Sequence, residues 1–371
     1  MEARALTSDT FWEVDVPVMM GADHPAPEGI PPLIYFQTSG STGVPKWIGL
    51  SREALQVSAR TVNEHLGVTR ESCWVLTLPL HHVGGFGVAS RTWQAGCRMV
   101  SFEGKWDPFR FVQWIAGQGG THLSLVPTQV HDLAAAGLRA PASLEAVVVG
   151  GGILMEDTGR AARELGWPVL ASYGMTEAGT QIATQRLELL DQPYVKEPID
   201  LLACWEARDG ETGRIEIRGD ALFSGILKHD GDQWKYEARS GDWFATSDSG
   251  LVEGRKLRIT GRTDALVKIL GELVDPVAVE AALISQAAGL VAPGQAVVVA
   301  IEDTRAGNKL VLAHEKSVKR ELLELALEAY HASCPGYCRI KDLVAVEGIP
   351  KSPLGKPLRK ELSRIIAQGS I

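Results

Sequence analysis

Zinc and redox-dithiol chemistry are the first things this sequence lacks. Its five cysteines, at 73, 97, 204, 334 and 338, form no C-x-x-C pair and no Cys/His cluster with zinc spacing. Cys334 and Cys338, separated by Pro335, Gly336 and Tyr337, read as two small buried residues rather than a metal or disulfide site, and a reducing cytoplasm is the expected compartment. Long apolar runs are missing too, since none approaches the roughly twenty residues that span a bilayer. Glu2, Asp9, Glu13 and Asp15 deny the N-terminus the basic-then-apolar order of a signal peptide, so a soluble, unexported protein with no membrane insertion is expected. Positive charge is in deficit: 37 basic against 45 acidic side chains leave a net charge of −8, which argues against nucleic acid or an anionic membrane as main partner. There is no internal repeat, no low-complexity tract and no G-x-x-x-x-G-K-[ST] phosphate loop.

What is present is a chain of 371 residues, 45% hydrophobic and 22% charged, enough for two domains and a large core. One stretch organises the rest: Thr38-Ser39-Gly40-Ser41-Thr42-Gly43-Val44-Pro45-Lys46. Its glycines let backbone N–H groups converge, and its hydroxyls add side-chain donors, a combination suited to wrapping an anion. The apolar run Leu33-Ile34-Tyr35-Phe36 before it reads as a buried strand, and Ser51-Arg52-Glu53-Ala54 after it reads as a capped helix start. Two readings stay open on this segment alone, an anion cradle and a flexible surface linker.

The first thirty or so residues, ending in Pro25, Pro27, Pro31 and Pro32, predict a loosely docked arm or an edge strand. Beyond a helix at about 52–66, short apolar strands alternate with amphipathic helices. The strands are Cys73 to Leu80, Arg98 to Phe102, His122 to Val126, Leu144 to Val149 and Pro168 to Ala171. That alternation predicts an α/β fold with a mostly parallel sheet and helices on both faces. Polar and glycine clusters follow the strands, at His81-His82-Val83-Gly84-Gly85-Phe86-Gly87, at Gly150-Gly151-Gly152 and at Ser172-Tyr173-Gly174-Met175-Thr176-Glu177, where they can line one cleft at the sheet's rim. From about residue 200, short strands with turn signals predict a small β subdomain up to 263. Residues 264–371 predict a smaller α+β domain, so the expected division is 1–263 and 264–371.

Five segments in order, Thr38 to Lys46, Tyr173 to Glu177, Thr246-Ser247-Asp248, Gly261-Arg262-Thr263-Asp264 and Pro350-Lys351-Ser352-Pro353-Leu354-Gly355-Lys356, resemble the motif set of the adenylate-forming acyl-CoA synthetases, a superfamily that includes luciferases and the adenylation domains of peptide synthetases. Within it, Leu78 to Gly85 through Arg91, and Ser124 to Gln129, resemble the o-succinylbenzoate:CoA ligases of menaquinone and phylloquinone synthesis. The likeness runs from about residue 33 to the end.

The resemblance implies an ATP-dependent acid:CoA ligase with ATP, Mg2+ and coenzyme A as cofactors. Its partners are then small molecules: a carboxylic acid, ATP and CoA. A carboxylate attacks the α-phosphate of ATP, and a thiol then attacks the acyl adenylate. Because both partners of the first step are anionic, charge neutralisation and alignment carry it. Thr38, Ser39, Gly40, Ser41, Thr42, Gly43 and Lys46 would hold the β- and γ-phosphates. Glu177 would be the Mg2+ ligand, and Thr176 would bond the α-phosphate beside Gly174. Tyr173 would lie on adenine, or else serve only as core, with Gly150, Gly151 and Gly152 framing the base edge. Asp248 would take the ribose hydroxyls, with Arg262 in support. Lys356 would reach the α-phosphate and the attacking oxygen. His82 would line the acyl pocket with Gly179 and Thr180. Arg91 would hold a second carboxylate of the acid, against the plain reading of a surface arginine on a helix. Asp264 would be the hinge about which a mobile C-terminal domain withdraws Lys356 and presents the Lys268 to Glu272 turn for thioester formation.

Two departures stand out. Family members carry roughly a hundred further residues before the phosphate loop, where this chain has 37, and a homodimer is one way to make up the shortfall. Ser247 replaces the usual glycine of Thr-Gly-Asp, which fits if its backbone needs no positive φ. Beside the o-succinylbenzoate reading stand another aryl- or acyl-CoA ligase, a carrier-protein-loading enzyme, and a non-catalytic nucleotide-binding scaffold.

Overall fold

Runs such as Ala146-Val147-Val148-Val149 are apolar at every position, so a strand made of them needs cover on both faces. In the computed structural model that cover is present. It describes residues 2–38, 46–211, 213–229, 231, 233–262, 266–270, 272–286, 291, 294–352 and 355–368. The chain divides into two compact units. The first comprises Met1–Gly210, Ile215–Thr246 and Leu251–Arg258, and the second Glu211–Arg214, Ser247–Gly250 and Ile259–Ile371.

In the first unit a six-stranded sheet has the order Arg98–Ser101, Cys73–Leu76, His122–Leu125, Ala146–Val149, Val169–Gly174, Gln181–Thr184. The first five strands run parallel and the last antiparallel, so the mostly parallel α/β architecture expected from the alternation is observed. Every residue of Cys73–Leu76, His122–Leu125 and Ala146–Val149 is buried. Helices Val83–Ala95, Pro108–Ala116, Pro127–Ala135 and Glu156–Glu164 form the crossovers.

A second sheet orders Val18–Met20, Ile34–Thr38, Lys46–Leu50, Gly225–His229 and Trp234–Ala238. Here the sequence reading needs correcting. Ile34–Thr38 pairs antiparallel with Lys46–Leu50, with Thr38 opposite Lys46, so the glycine-rich stretch joins two strands before the helix Arg52–His65 begins. The run Trp47-Ile48-Gly49-Leu50 is short and interrupted by glycine, which hid the strand. Ser51 does cap the helix, its Oγ accepting the Ala54 N–H at 3.0 Å.

The N-terminal arm is an edge strand, Val18–Met20, pairing parallel with Ile34–Thr38, preceded by helices Ala3–Leu6 and Asp9–Glu13. It is firmly docked. Trp12 is buried and stacks on Trp93 at 4.8 Å, and the Trp93 Nε1–H donates to Asp9 Oδ1 at 2.8 Å. The β subdomain is a five-stranded sheet in the order Ile199–Asp200, Lys256–Arg262, Phe244–Glu253, Arg214–Gly219, Trp205–Asp209.

The second unit holds a three-stranded sheet of Ala296–Asp303, Gly307–Glu315 and Ile340–Val346. Alternation sorts its faces. Ala296, Val298, Leu310 and Leu312 pack with the helices Pro276–Gln286 and Arg320–Ser333, while Val297, Val299, Val311 and Ala313 pack with Leu362 of helix Arg359–Ala367. The strand Gly307–Glu315 goes unnoticed in the sequence because Asn308 and Lys309 open it without an apolar signal. Cys334 and Cys338 are half-buried rather than buried. Among the described residues no helix is long and apolar enough to cross a membrane.

Candidate active site

The pairing of Thr38 with Lys46 brings the two ends of the glycine-rich stretch side by side. Ser39, Gly40, Ser41, Thr42 and Gly43, which sequence assigns to phosphate, lie outside the described residues. Thr38 Oγ1 donates to the Lys46 carbonyl at 3.4 Å. Lys46 turns its ammonium to Glu177, 3.3 Å from Oε1, with side-chain exposures of 31% and 16%. A lysine from one strand end and a carboxylate on the short 3-10 helix Thr176–Ala178, 131 positions apart in sequence, thus meet.

Glu177 follows directly on the strand Val169–Gly174, so Tyr173, Gly174 and Thr176 stand at a strand exit with it. Gly174 has no room for a side chain, since an added Cβ would lie 1.9 Å from the Thr180 carbonyl oxygen. Gly150, Gly151 and Gly152 follow the exit of Ala146–Val149, with Gly151 in the left-handed region at φ 77°. Both exits belong to adjacent parallel strands, where open α/β sheets bind ligands.

The His81 to Gly87 cluster is less of a rim loop than the sequence suggests. Helix Val83–Ala95 starts there with His82 as its N-cap residue. Gly85 is a packing position, since a Cβ would meet the Pro79 carbonyl oxygen at 2.3 Å. The His82 ring lies tilted against that of His81, centroids 4.3 Å apart, and its Nε2 is buried with no partner among the described residues. Burial, and then His81, hold its imidazole below the ordinary value, so it is neutral at pH 7.

Arg91 lies on the inner face of the same helix and is only 2% exposed, which excludes the surface reading. Its Nη2 donates to Thr180 Oγ1 at 3.2 Å and its Nη1 to Ser124 Oγ at 3.4 Å. Its guanidinium carbon sits 5.2 Å from the Trp74 ring centroid, and its Nε is buried without a partner among the described residues. No carboxylate among the described residues pairs with it. Burial pulls its pKa down to about 9, which leaves it charged at neutral pH.

Ser58 Oγ and Thr180 Oγ1 are 3.0 Å apart. Together with Leu55, Gly87, Arg91 and Gly179 they line a tightly packed crevice. Sequence reasoning missed Ser58. Its signal was a lone hydroxyl on the apolar stripe of Leu55, Ala59 and Val62 in helix Arg52–His65.

In the second unit Asp248 is 6% exposed and lies 3.4 Å from Arg262 Nη1, while the Arg262 N–H donates to Asp275 Oδ2 at 3.2 Å. The only described non-glycine residue with positive φ is Leu270, so Ser247 replaces glycine without strain. Lys356 is exposed. Asp264, the expected hinge, lies outside the described residues.

A model of the AMP-binding enzyme family matches residues 6–227. The 2-succinylbenzoate–CoA ligase of Enterococcus faecalis is 29% identical over 269 residues, which cover 69% of this chain and 54% of that protein. That of Geobacillus kaustophilus is 28% identical over 368 residues, covering 95% and 72%. The chain therefore spans about half the length of the first and nearly three quarters of the second. Among solved structures, an arginine-to-lysine variant of E. coli MenE with bound OSB-AMS superposes with a TM-score of 0.71 at 26% identity, covering 90% of this chain and 69% of that one. The family match spans more than half of the sequence, and the chain belongs to the AMP-binding enzyme family.

Proposed function

We propose that this protein is an ATP-dependent acid:CoA ligase that works through an acyl adenylate, with o-succinylbenzoate as its acid. The observation that carries the reading is Arg91, a buried cation with hydroxyl and aromatic neighbours and no carboxylate partner among the described residues. Burying a charge without its counter-ion is costly. A second carboxylate on the acid would offset that cost, and the guanidinium is built to receive it. The relatives bearing the 2-succinylbenzoate–CoA ligase name support the same acid.

In the proposed reaction a carboxylate oxygen of the acid bonds to the α-phosphorus of ATP and the bond to pyrophosphate breaks. The CoA thiolate then attacks the acyl carbon and AMP leaves. Thr38 and Lys46 flank the pyrophosphate loop, and Thr176 donates to the α-phosphate. Asp248 accepts from the ribose hydroxyls, supported by Arg262. Lys356 neutralises charge at the α-phosphate and the attacking oxygen as it builds. Tyr173 and Gly150 to Gly152 receive the adenine. His82, Gly179 and Thr180 line the acyl pocket. The hinge at Asp264 and the division at 263/264 are part of the proposal.

Glu177 fits a Mg2+ ion. It is a largely buried carboxylate already paired with one cation, Lys46, and no group of three His, Cys, Asp or Glu side chains among the described residues offers a rival site. A single carboxylate plus phosphate oxygens is how Mg2+ is commonly held with nucleotides. When bound, the ion supplies positive charge to the phosphates and so assists pyrophosphate departure. Five free cysteines fit work in the reducing cytoplasm.

The test is to mix the chain with Mg-ATP, CoA and a panel of mono- and dicarboxylic acids including o-succinylbenzoate, following AMP and pyrophosphate. Preference for the aromatic dicarboxylate supports the reading. Equal turnover of monocarboxylates overturns the role of Arg91, and the absence of pyrophosphate release with every acid of the panel overturns the ligase.

A further inference from the structure

Lys356 stands on a tight turn held largely by local bonds. The Ser352 N–H donates to the Lys356 carbonyl at 2.8 Å and the Leu358 N–H to the Pro350 carbonyl at 2.8 Å. Ser352 Oγ accepts the Lys356 N–H at 3.2 Å, and Lys351 bridges to Pro357. These bonds shape the turn, and one long-range bond, Lys351 Nζ to Glu315 Oε1 at 3.2 Å, ties its start to the end of strand Gly307–Glu315; its far end, at Lys356, leads into the next helix.

Three residues later, helix Arg359–Ala367 begins, and its first residue is tied at long range. Arg359 Nη2 donates to Glu280 Oε2 at 2.7 Å, and the same carboxylate oxygen accepts the Val298 N–H at 2.8 Å. Glu280 belongs to helix Pro276–Gln286, on one face of the three-stranded sheet, and Arg359 to the helix on the other face. Val298 belongs to the edge strand Ala296–Asp303. The ion pair therefore wraps the open edge of the sheet and fastens the start of one helix to the middle of another.

Such a pair is poorly explained by stability. Its side chains are 22% and 16% exposed, and burial pushes the Glu280 carboxyl above its ordinary range in spite of Arg359. Apolar residues of like volume would usually fill this space at no loss. What a hydrogen-bonded ion pair adds is a fixed geometry.

We infer that Glu280 and Arg359 are positioning residues for Lys356, holding the first turn of helix Arg359–Ala367 and with it the turn before it. The inference rests on the proposed part of Lys356 in adenylation. A lysine that must meet a developing charge loses most of its effect when displaced by an ångström.

The experiment separates the half-reactions in the full chain. Adenylation is read by ATP–pyrophosphate exchange with o-succinylbenzoate, and thioester formation by supplying preformed acyl adenylate and CoA. The variants are Arg359→Met, Arg359→Lys, the double Glu280→Leu/Arg359→Met, which leaves no orphaned charge to unfold the unit, and Lys356→Ala as benchmark. Arg359→Met and the double variant should slow exchange about 10- to 100-fold, with thioester formation little changed. Arg359→Lys should recover part of the loss. Amide hydrogen exchange over residues 350–362 should rise in the double variant while the helix Pro276–Gln286 stays protected. Half-reactions falling in parallel, or unchanged exchange in both senses, overturn the inference. A wild-type chain that makes no adenylate, or a Lys356→Ala variant that makes it normally, instead overturns the proposed function beneath it.

Discussion

Arg91 holds a charge where a charge is expensive, and the expense separates function from stability. Replacing it with an apolar side chain of similar length removes a buried cation with no carboxylate partner among the described residues, so Arg91→Met should raise the unfolding free energy by about 1–3 kcal/mol, read as a higher urea midpoint. The same variant should lose its preference for dicarboxylic over monocarboxylic acids, measured as the ratio of kcat/KM values. A lower midpoint would mean that the hydroxyls of Ser124 and Thr180 stabilise the guanidinium more than burial penalises it. His122 makes a contrasting case. It is fully buried in the central sheet, its Nε2 and Nδ1 within 3.1 Å of the Leu66 carbonyl and 2.8 Å of Thr121 Oγ1. Burial holds its pKa below the ordinary 6.5. The unfolded chain thus takes up a proton near that pH while the folded site resists it. Stability tied to His122 is full above pH 6.5 and is lost as the pH falls below it. Denaturant midpoints at pH 7 and pH 5 should therefore converge in His122→Gln relative to wild type. Both residue types were visible in the sequence, but burial was not. An arginine on a helix reads as solvated until its neighbours are known.

Among elements, the N-terminal arm shows how little of a connection's strength is local. Helices Ala3–Leu6 and Asp9–Glu13 are too short to be stable alone, yet Leu6 and Trp12 are buried. The arm is clamped by Arg52 at the start of helix Arg52–His65. Its Nε, Nη1 and Nη2 donate to the carbonyls of Phe11, Pro32 and Val16 at 3.1, 3.2 and 3.1 Å. Arg52→Met should cost about 3 kcal/mol through three orphaned carbonyls, and limited proteolysis should cut first within residues 7–32. Equal cutting in both proteins would show the arm docks by Trp12 and its other buried side chains alone. The long, strongly patterned elements were legible because apolar residues recur with one period. The strands Lys46–Leu50 and Gly307–Glu315 were not, because glycine interrupts one and polar residues open the other. Partner strands supply what those sequences lack.

For the whole molecule, the proposed chemistry asks groups far apart in sequence to act on one pair of anions. Glu177→Gln should lower pyrophosphate release by at least about 100-fold, and chelation of Mg2+ should abolish it, while tryptophan fluorescence shows the fold intact. If Glu177→Gln stays fully active, the ion is held elsewhere and the pairing with Lys46 is only structural. The order of the glycine-rich stretch, the Thr176-Glu177 exit, Thr246 to Asp248 and the Lys356 segment was fixed by sequence, because each is a short local string whose residue types state their chemistry. So was the α/β class, because short runs apolar throughout, alternating with amphipathic helices, state which faces must be covered. Only the tertiary structure decided that Lys46 meets Glu177, that Arg91 is buried with no carboxylate partner among the described residues, that Ser58 joins Thr180, and that Arg359 reaches Glu280 around a sheet edge. Burial and long-range pairing are properties of the packed chain, set by which surfaces lose water together. No local string of residues carries them.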